Sequence, residues 1–376
     1  MQLLRLNALK GNMLCALLLT CSFAVIRCHA QEKFENLSLR AEVNTGVLIP
    51  EYQLFNQFSE DYIYGIELSL EKQSSGKRES DQVFNYPAFG GSILYTTLGN
   101  DEVFGHELAF YGYFLNHFIR KERFQLNHQF GLGLGYATKR FDLQDNFQNV
   151  AVGSHLNIHF NYKLGVAYKI SDHFRITSGL SFSHYSNANM SEPNLGLNWL
   201  SFYLGSYYLL GKEVIEPRRE LAAFKGTNEF AFVAAAGGKH TRALQSTIYF
   251  TSSLSAEYKR HISRKIRLGA GIDLFYDSST EAEMSVPGKD AYKPRDDFRT
   301  GIHFSQEIAY DKFSFIIQEG IYIGLRNTVD KGRQMYNRAI IRYKINEHLL
   351  IHVSMKSHLH ILDYPEFGIG YWIKKP

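Results

Sequence analysis

The chain is dominated by segments of about ten residues in which apolar and polar side chains alternate, mostly separated by turn or loop residues. A period of two places one set of side chains on each face of a β-strand. The pattern predicts an all-β fold with an even number of strands, sixteen. The predicted strands lie near 38–49, 62–72, 85–98, 106–119, 124–139, 155–170, 174–187, 197–210, 228–240, 246–261, 265–277, 298–310, 312–326, 335–345, 348–360 and 366–374.

Strand length and aromatic content favour a transmembrane antiparallel β-barrel of about 14–16 strands. The chain has 24 Tyr and 28 Phe but only 2 Trp. Most connections after every second strand are tight, as at 121–123, whereas those between, such as 140–154 and 278–297, are longer. Outer-membrane barrels pair short periplasmic turns with longer external loops. A soluble β-sandwich, the alternative, gives no reason for loop lengths that differ between its two ends.

Residues 1–30 are predicted to be a secretory signal peptide, because positive charges precede an apolar core from Met13 to Ile26 and a small residue, Ala30, follows. Cleavage after Ala30 leaves 38 basic against 37 acidic residues, a net charge of +1 in place of +4, and removes all 3 Cys. The mature chain therefore has no basic face for nucleic acid and forms no disulfide. It also has no uninterrupted apolar run of about 18 residues, so no membrane-spanning helix is expected.

A charged segment, 211–227, divides the strands into two halves of eight, 31–210 and 228–376. The halves end alike, because two short motifs recur in the same order. The copies are Ser183-His184 and Ser357-His358, followed by Pro193-Asn194-Leu195-Gly196 and Pro365-Glu366-Phe367-Gly368. This doubled eight-stranded unit is compatible with one sixteen-stranded barrel or with two tandem barrels. We predict one barrel, completed by the second half.

The densest group of chemically functional residues lies at one predicted hairpin. His184 and Ser186 share the more apolar, lipid-facing side of strand 174–187, and Asn198 lies on the same side of the next strand. Such groups are costly on an apolar face without partners. As general base, nucleophile and orienting amide they satisfy one another and form an esterase constellation. The alternative is a set of polar residues solvated by headgroups near the membrane interface. Counting strands from a periplasmic start places the hairpin near the outer leaflet.

The run His184-Tyr185-Ser186-Asn187-Ala188, followed by Pro193-Asn194-x-Gly196, resembles the motif of the lipid A 3-O-deacylases (the PagL family, also called acyloxyacyl hydrolases). The resemblance covers about residues 36–210 and is concentrated in 183–205. Members of this family are outer-membrane barrels that hydrolyse an ester-linked acyl chain of lipopolysaccharide. The resemblance implies an outer-membrane location, lipopolysaccharide as the partner, Ser186 as nucleophile and His184 as base.

The resemblance also implies that Asn187 and Asn194 are candidate oxyanion donors, because an amide can be aimed at a developing alkoxide. One position departs from the family pattern. The first-described members carry Glu on the following strand, where this chain has Asn198. An amide can hold an imidazole tautomer, although it stabilises the imidazolium less than a carboxylate does. Glu192 is the nearest carboxylate, and could substitute if the hairpin folds back.

Other candidate sites are weaker. His358 and His360, with Asp363 nearby, suggest a metal site or a second active site, but no serine stands at the position equivalent to Ser186. His155 and His159 share a strand face without a third ligand at metal spacing. We therefore predict an enzyme without metal or cofactor. The alternative functions are a non-catalytic outer-membrane barrel, either a pore or an interaction protein, and a soluble periplasmic β-protein.

Overall fold

A computed structural model of the chain describes residues 34–50, 58, 61–241, 247–285, 291–323, 334–359 and 361–375. The predicted signal peptide lies outside the described residues. The elements, in chain order, are β1 (Leu37–Leu48), β2 (Ile63–Gln73), α1 (Glu79–Val83), β3 (Ala88–Thr97), β4 (His106–Arg120), β5 (Phe124–Ala137), β6 (Leu156–Lys169), β7 (Phe174–Ser186), β8 (Leu197–Leu209), β9 (Asn228–Lys239), β10 (Tyr249–His261), β11 (Ile266–Asp277), α2 (Thr280–Met284), a 3-10 turn (Pro294–Asp297), β12 (Phe298–Tyr310), β13 (Phe313–Ile323), β14 (Met335–Lys344), β15 (Leu349–His358) and β16 (Ile361–Lys375).

All sixteen predicted strands are present, so the all-β prediction is confirmed. The larger differences have local causes. β3 begins at Ala88 because the preceding segment forms α1 and then turns through Asn85 and Tyr86, which have φ of 58° and 59°. β16 begins at Ile361, five residues earlier than predicted, because Leu359 with φ 57° turns the chain directly after β15.

The strands close into two separate barrels, one of β1–β8 and one of β9–β16. β1 pairs with β8 over eleven residues, from Ser38 opposite Leu209 to Leu48 opposite Trp199. β16 pairs with β9 in the same way. The prediction that residues 228–376 complete a single barrel is therefore wrong. Each half satisfies the backbone hydrogen bonds of its own edge strands, so neither half offers an edge to the other.

The barrel walls are apolar outside and polar inside. In β2 the exposed Tyr64, Ile66, Leu68 and Leu70 alternate with the buried Glu67 and its neighbours. A continuous exposed apolar band of this kind is typical of a strand wall in contact with lipid hydrocarbon. The fold is thus the predicted transmembrane antiparallel β-barrel, in two copies. No helix among the described residues is long and apolar enough to cross a membrane.

Paired charges fill the lumen of the first barrel. Lys163 donates to Glu42 at 2.6 Å and to Glu67 at 2.7 Å, and all three side chains are buried. Arg40 lies 3.3 Å from Glu42 and donates to Gln129 at 2.6 Å. An eight-stranded barrel has an interior just wide enough to be filled by side chains. Its charges consequently hold one another, and little of this lumen is left for a channel.

We expect Lys163→Met to lower the free energy of unfolding by about 3–5 kcal/mol, because Glu42 and Glu67 lose the closer of their two shared cations and keep only Arg40. Denaturant unfolding in phospholipid vesicles, followed by heat-modifiable gel migration, measures the change. Lys121→Met is the control, since Lys121 is exposed in the turn after β4. A loss no larger than the control's would show that the lumen charges contribute little.

The second barrel is filled in the same manner. Its buried cations each contact at least one buried carboxylate within 4.0 Å, apart from Arg299. Close pairs in this barrel include Lys259 with Glu307, Arg338 with Asp273 at 2.6 Å, Arg342 with Glu257 at 2.7 Å, and Lys239 with Asp277 at 2.8 Å. The described residues of this barrel thus form a packed polar core.

The charged segment 211–227 is ordered. Its first part lies against the end of the first barrel where β1 begins. There Asn36 donates to the Val214 carbonyl at 2.7 Å and accepts from its N–H at 2.6 Å. Glu213 pairs with Arg120 at 2.9 Å and with Arg175 at 3.0 Å. These contacts make the beginning of the connector part of the first barrel.

Candidate active site

The β7–β8 hairpin places the predicted site residues. Its ladder runs in register from Phe174 opposite Tyr208 to Tyr185 opposite Leu197, and His184 stands directly opposite Asn198. His184, Ser186 and Asn198 are all partly exposed, whereas their strand neighbours are buried. The three polar side chains therefore lie together on the outer wall of the first barrel, where the alternation of the sequence predicts them.

The three side chains form one hydrogen-bonded chain. His184 Nδ1 lies 2.7 Å from Asn198 Oδ1, and His184 Nε2 lies 2.9 Å from Ser186 Oγ. An amide oxygen only accepts hydrogen bonds, so His184 carries its proton on Nδ1 and donates it to Asn198. Nε2 is then unprotonated and accepts the Ser186 hydroxyl. This is the arrangement in which a histidine can remove the proton of a serine nucleophile.

The inward-facing neighbours hold this hairpin in place. Tyr185, Leu197 and Trp199 alternate with the site residues and enter an apolar cluster inside the barrel. The Tyr185 hydroxyl donates to the Gly135 carbonyl at 3.0 Å and accepts from Asn157 at 2.9 Å. Each site residue is flanked in its strand by a side chain packed inside the barrel. This packing holds the backbone of the site residues in place.

The loop 187–196 distinguishes the two predicted oxyanion donors. Asn187 uses its own amide within the loop: its Oδ1 accepts the N–H of Met190 at 3.1 Å and its Nδ2 donates to the Ser191 carbonyl at 2.7 Å. The Asn187 backbone N–H donates to Asn194 Oδ1 at 2.9 Å. The Nδ2 group of Asn194 donates to no other described residue. Among the described residues, Asn187 thus commits one of its two amide N–H donors to the loop, whereas both N–H donors of Asn194 stay available.

Gly196 closes the loop against the imidazole. It has φ 75°, and a Cβ added there would lie 3.0 Å from His184 Cε1 and 3.4 Å from Ser186 Cβ. Its N–H donates to the Ala151 carbonyl at 3.0 Å, which ties it to the β5–β6 loop. The position therefore requires glycine for both its backbone conformation and its distance from His184.

Glu192 does not replace Asn198. Both ring nitrogens of His184 already have partners, in Asn198 and Ser186. Burial raises the pKa of the Glu192 carboxyl above its usual range, while a hydrogen bond from the Asn194 backbone opposes the shift. A carboxyl that burial biases toward its neutral form is a poor stabiliser of an imidazolium.

The wall below the site is apolar. Phe182 lies opposite Leu200, and Leu180 lies opposite Phe202, in the same hairpin that carries the polar chain. Leu180 and Phe202 are each 51% exposed. On the other side of His184, Phe160 of β6 is its direct neighbour. A polar reactive group thus stands at the end of an exposed hydrocarbon-like surface.

Where the structure describes them, the other histidines singled out in the sequence form no comparable site. His358 faces the lumen of the second barrel, 3.1 Å from the Tyr322 hydroxyl and 3.7 Å from Asp363, so the repeated Ser-His motif does not reproduce the outward-facing site. His360 lies outside the described residues. His155 and His159 bind the Ala137 carbonyl and Glu107. No group of three or more metal-ligand side chains occurs in the described part of the chain.

Fold and site together define a class: a membrane β-barrel with a hydrogen-bonded serine, histidine and asparagine on its outer wall. Residues 64–207 match the family model of the lipid A 3-O-deacylase (PagL), and residues 228–375 match that of the acyloxyacyl hydrolase C-terminal domain. The two matches cover most of both barrels. The chain belongs to the PagL family of acyloxyacyl hydrolases.

Several solved structures are similar to this chain. The outer membrane enzyme PagL is 18% identical over 44% of this chain and 97% of its own, with a TM-score of 0.33. Neisserial surface protein A is 9% identical over 47% of this chain and 98% of its own, with a TM-score of 0.31. A mutant porin of Rh. blastica is 6% identical over 90% of this chain and 100% of its own, with a TM-score of 0.19. A search of curated protein sequences gave no match.

Proposed function

We propose that the first barrel is an outer-membrane serine esterase that hydrolyses an ester-linked acyl chain of lipid A, with Ser186 as nucleophile and His184 as general base. The observation that carries the proposal is the continuous chain from Asn198 through His184 to Ser186 on the lipid-facing wall. Membership of a family named for lipid A deacylation supports the substrate class.

In the first half of the reaction, Ser186 Oγ attacks the carbonyl carbon of the ester while His184 Nε2 takes the hydroxyl proton. The resulting imidazolium keeps its Nδ1–H bond to Asn198. When the tetrahedral intermediate collapses, the ester C–O bond breaks and the His184 proton passes to the sugar oxygen. The products are a free hydroxyl on the sugar and an acyl group on Ser186.

In the second half, His184 Nε2 takes a proton from water as the water attacks the acyl-enzyme carbonyl. Collapse of the second intermediate returns the proton to Ser186 Oγ and releases a fatty acid. Each intermediate carries a negative charge on the former carbonyl oxygen. The free Nδ2–H of Asn194 is the donor that we assign to this oxyanion, because Asn194 is held against the residue directly after Ser186.

The surroundings of the site suit a substrate that is itself a membrane lipid. From the hydrogen-bonded site residues toward the middle of the membrane, the outer wall continues with the exposed Leu180 and Phe202. An acyl chain can lie along these two side chains with its ester at Ser186. The filled lumens give no support to the alternative of a pore, because an eight-stranded barrel leaves no aqueous channel when its interior is packed.

The lipid A mass spectrum of cells that produce the protein tests the proposal. A peak lower by the mass of one acyl chain, with the matching free fatty acid, is the expected result. Lipid A of unchanged mass, under conditions in which the barrel is folded in the outer membrane, would contradict it.

Gly196→Ala is expected to lower the deacylation rate about tenfold or more while the barrel still folds. A left-handed alanine costs about 1–2 kcal/mol, and its methyl group would press on His184 Cε1, where a small displacement of a base is costly. Initial rates and heat-modifiable migration are the measurements. Gly112→Ala, at a glycine of β4 with space for a Cβ, is the control. Equal rates for both variants would argue against the positioning role of Gly196.

A further inference from the structure

The outer wall of the second barrel is interrupted by a charged side chain. Glu319 lies in the middle of β13, between Ile317 and Ile321, and all three are exposed on the outer face. Its inward-facing neighbour Gln318 is buried. In the first barrel, by contrast, no described outward-facing residue within a strand is a carboxylate. A charge on a lipid-facing wall destabilises a membrane barrel, so its presence there calls for a function.

Glu319 stands at one end of a row of polar side chains on three adjacent strands. Its direct partner on β14 is Asn337, and the direct partner of Asn337 on β15 is Ser357. All three face outward, because Gln318, Arg338 and Lys356, which pair one step along the same ladders, are buried in the lumen. Direct cross-strand neighbours have Cβ atoms about 4.5–5.5 Å apart, so the three side chains form one continuous patch.

Apolar side chains flank the polar row on both sides, and no described side chain of the protein forms a hydrogen bond or ion pair with it. Phe304 of β12 lies opposite Glu319 on one side, and Leu362 of β16 lies opposite Ser357 on the other. Within the described residues, Glu319, Asn337 and Ser357 make no side-chain hydrogen bond or ion pair. Their hydrogen-bonding capacity is therefore directed away from the barrel, into the surrounding membrane.

The position and the chemistry of the polar row indicate which ligand it binds. Only Asp311 and Lys312 separate β12 from β13, and short turns are periplasmic in outer-membrane barrels, so Ile323 is the outer end of β13. Glu319 lies four residues before it, about 13 Å along the strand. Asn337 and Ser357 lie near the same ends of their strands. The row therefore lies in the outer half of the wall, on the side where the acyl chains of outer-leaflet lipid join their headgroups. A carboxylate disfavours a phosphate there, whereas hydroxyl and amide N–H groups can donate to Glu319 and exchange hydrogen bonds with Asn337 and Ser357.

We propose that Glu319, Asn337 and Ser357 form a second lipid-binding site, which holds the hydroxylated, amide-linked root of an acyl chain of outer-leaflet lipid A. This assignment rests on the proposed function for the outer-membrane location and the lipid class. The site is separate from the reacting hairpin and contains no histidine, so it binds lipid A without cleaving it. Its consequence is that one chain holds two lipid A molecules.

Nondenaturing mass spectrometry of the full Ser186→Ala chain, titrated with purified lipid A, tests the proposal, because this background cannot consume the lipid by the proposed route. We expect two tightly bound lipid A molecules, and one in the Glu319→Leu or Asn337→Leu background. Loss of hydrogen bonds to a charged group weakens binding about tenfold or more. Glu319→Gln, which keeps hydrogen-bonding atoms, is expected to retain part of the second binding. Leucine suits a lipid-facing wall, so these variants are expected to fold.

Ser252→Leu is the matched control, because Ser252 is an outward-facing residue of β10, away from the row. If Glu319→Leu binds as much lipid A as the control, the proposal is wrong. A dimer that Glu319→Leu abolishes, with lipid binding unchanged, would assign the row to a second copy instead and also overturn it. Failure of the esterase proposal would appear separately, as absent deacylation by the unsubstituted chain, while the loss of one bound lipid in Glu319→Leu would remain measurable.

Discussion

Cells that produce the Ser186→Ala variant are expected to contain lipid A of full mass, whereas the unsubstituted chain shortens it by one acyl chain. Ser186 Oγ is the atom that would form the acyl-enzyme, and an alanine methyl group cannot replace it. We expect the rate to fall by about three orders of magnitude or more, since loss of a nucleophile removes the covalent route altogether. The residual rate would reflect direct attack of water in a site that still binds the ester.

Ser178→Ala is the matched control for this experiment. Ser178 lies on the same outer face of β7, four residues before Phe182 and so further from Ser186. It pairs with Leu204. Both variants remove one hydroxyl from one strand, so only the position differs. Deacylation by Ser186→Ala at the rate of Ser178→Ala, with equal amounts of folded barrel, would rule out the serine mechanism.

The strands and their faces could be predicted from the sequence because they depend on neighbouring residues only. The alternation that puts Leu180 and Phe182 outside and Ser181 and Ser183 inside is visible along β7 without knowledge of any other strand. The same alternation already marks Glu319 as outward-facing. The alternation does not reveal that Asn337 and Ser357 lie beside this carboxylate. Their proximity depends on the register of β13, β14 and β15.

The number of barrels could not be predicted in this way. Closure depends on whether β1 forms its second ladder with β8 or with β16, and both candidates offer an alternating strand of suitable length. The connector carries relevant information, because Asn36 and Glu213 fasten its beginning beside β1 and β4. Those contacts join residues far apart in sequence, and its charges alone do not reveal them.

Within the site, the predicted pairing across the hairpin needed only strand geometry, and the structure brings His184, Ser186 and Asn198 into hydrogen-bond distance. The loop was less accessible to sequence reasoning. Asn187 and Asn194 are the same residue type, and their difference in available N–H donors arises from the loop contact of Asn187 Nδ2 with the Ser191 carbonyl. Gly196 belongs to the recognised motif, but its contact with the imidazole depends on a positive φ that sequence does not specify.

Substitutions of Asn198 can distinguish two effects on His184: the orientation of its ring and the electrostatic stabilisation of its protonated form. Asn198→Leu is expected to lower the deacylation rate about a hundredfold or more, because His184 Nδ1–H loses its acceptor and the ring is free to adopt the tautomer with a protonated Nε2. A protonated Nε2 cannot accept the Ser186 proton. Leucine matches the neighbouring Leu200 on the outer wall, so loss of activity would occur in a folded barrel.

Asn198→Asp keeps the shape of the side chain and an oxygen at the position of Oδ1, while it replaces the amide N–H donors with a second, negatively charged oxygen. A carboxylate there stabilises the protonated imidazole, which forms during attack by Ser186 and again during attack by water. We therefore expect a higher maximal rate than that of the unsubstituted chain. Initial rates on lipid A in mixed micelles measure the effect. A rate for Asn198→Asp equal to the original, together with an active Asn198→Leu, would show that Asn198 has no part in orienting His184.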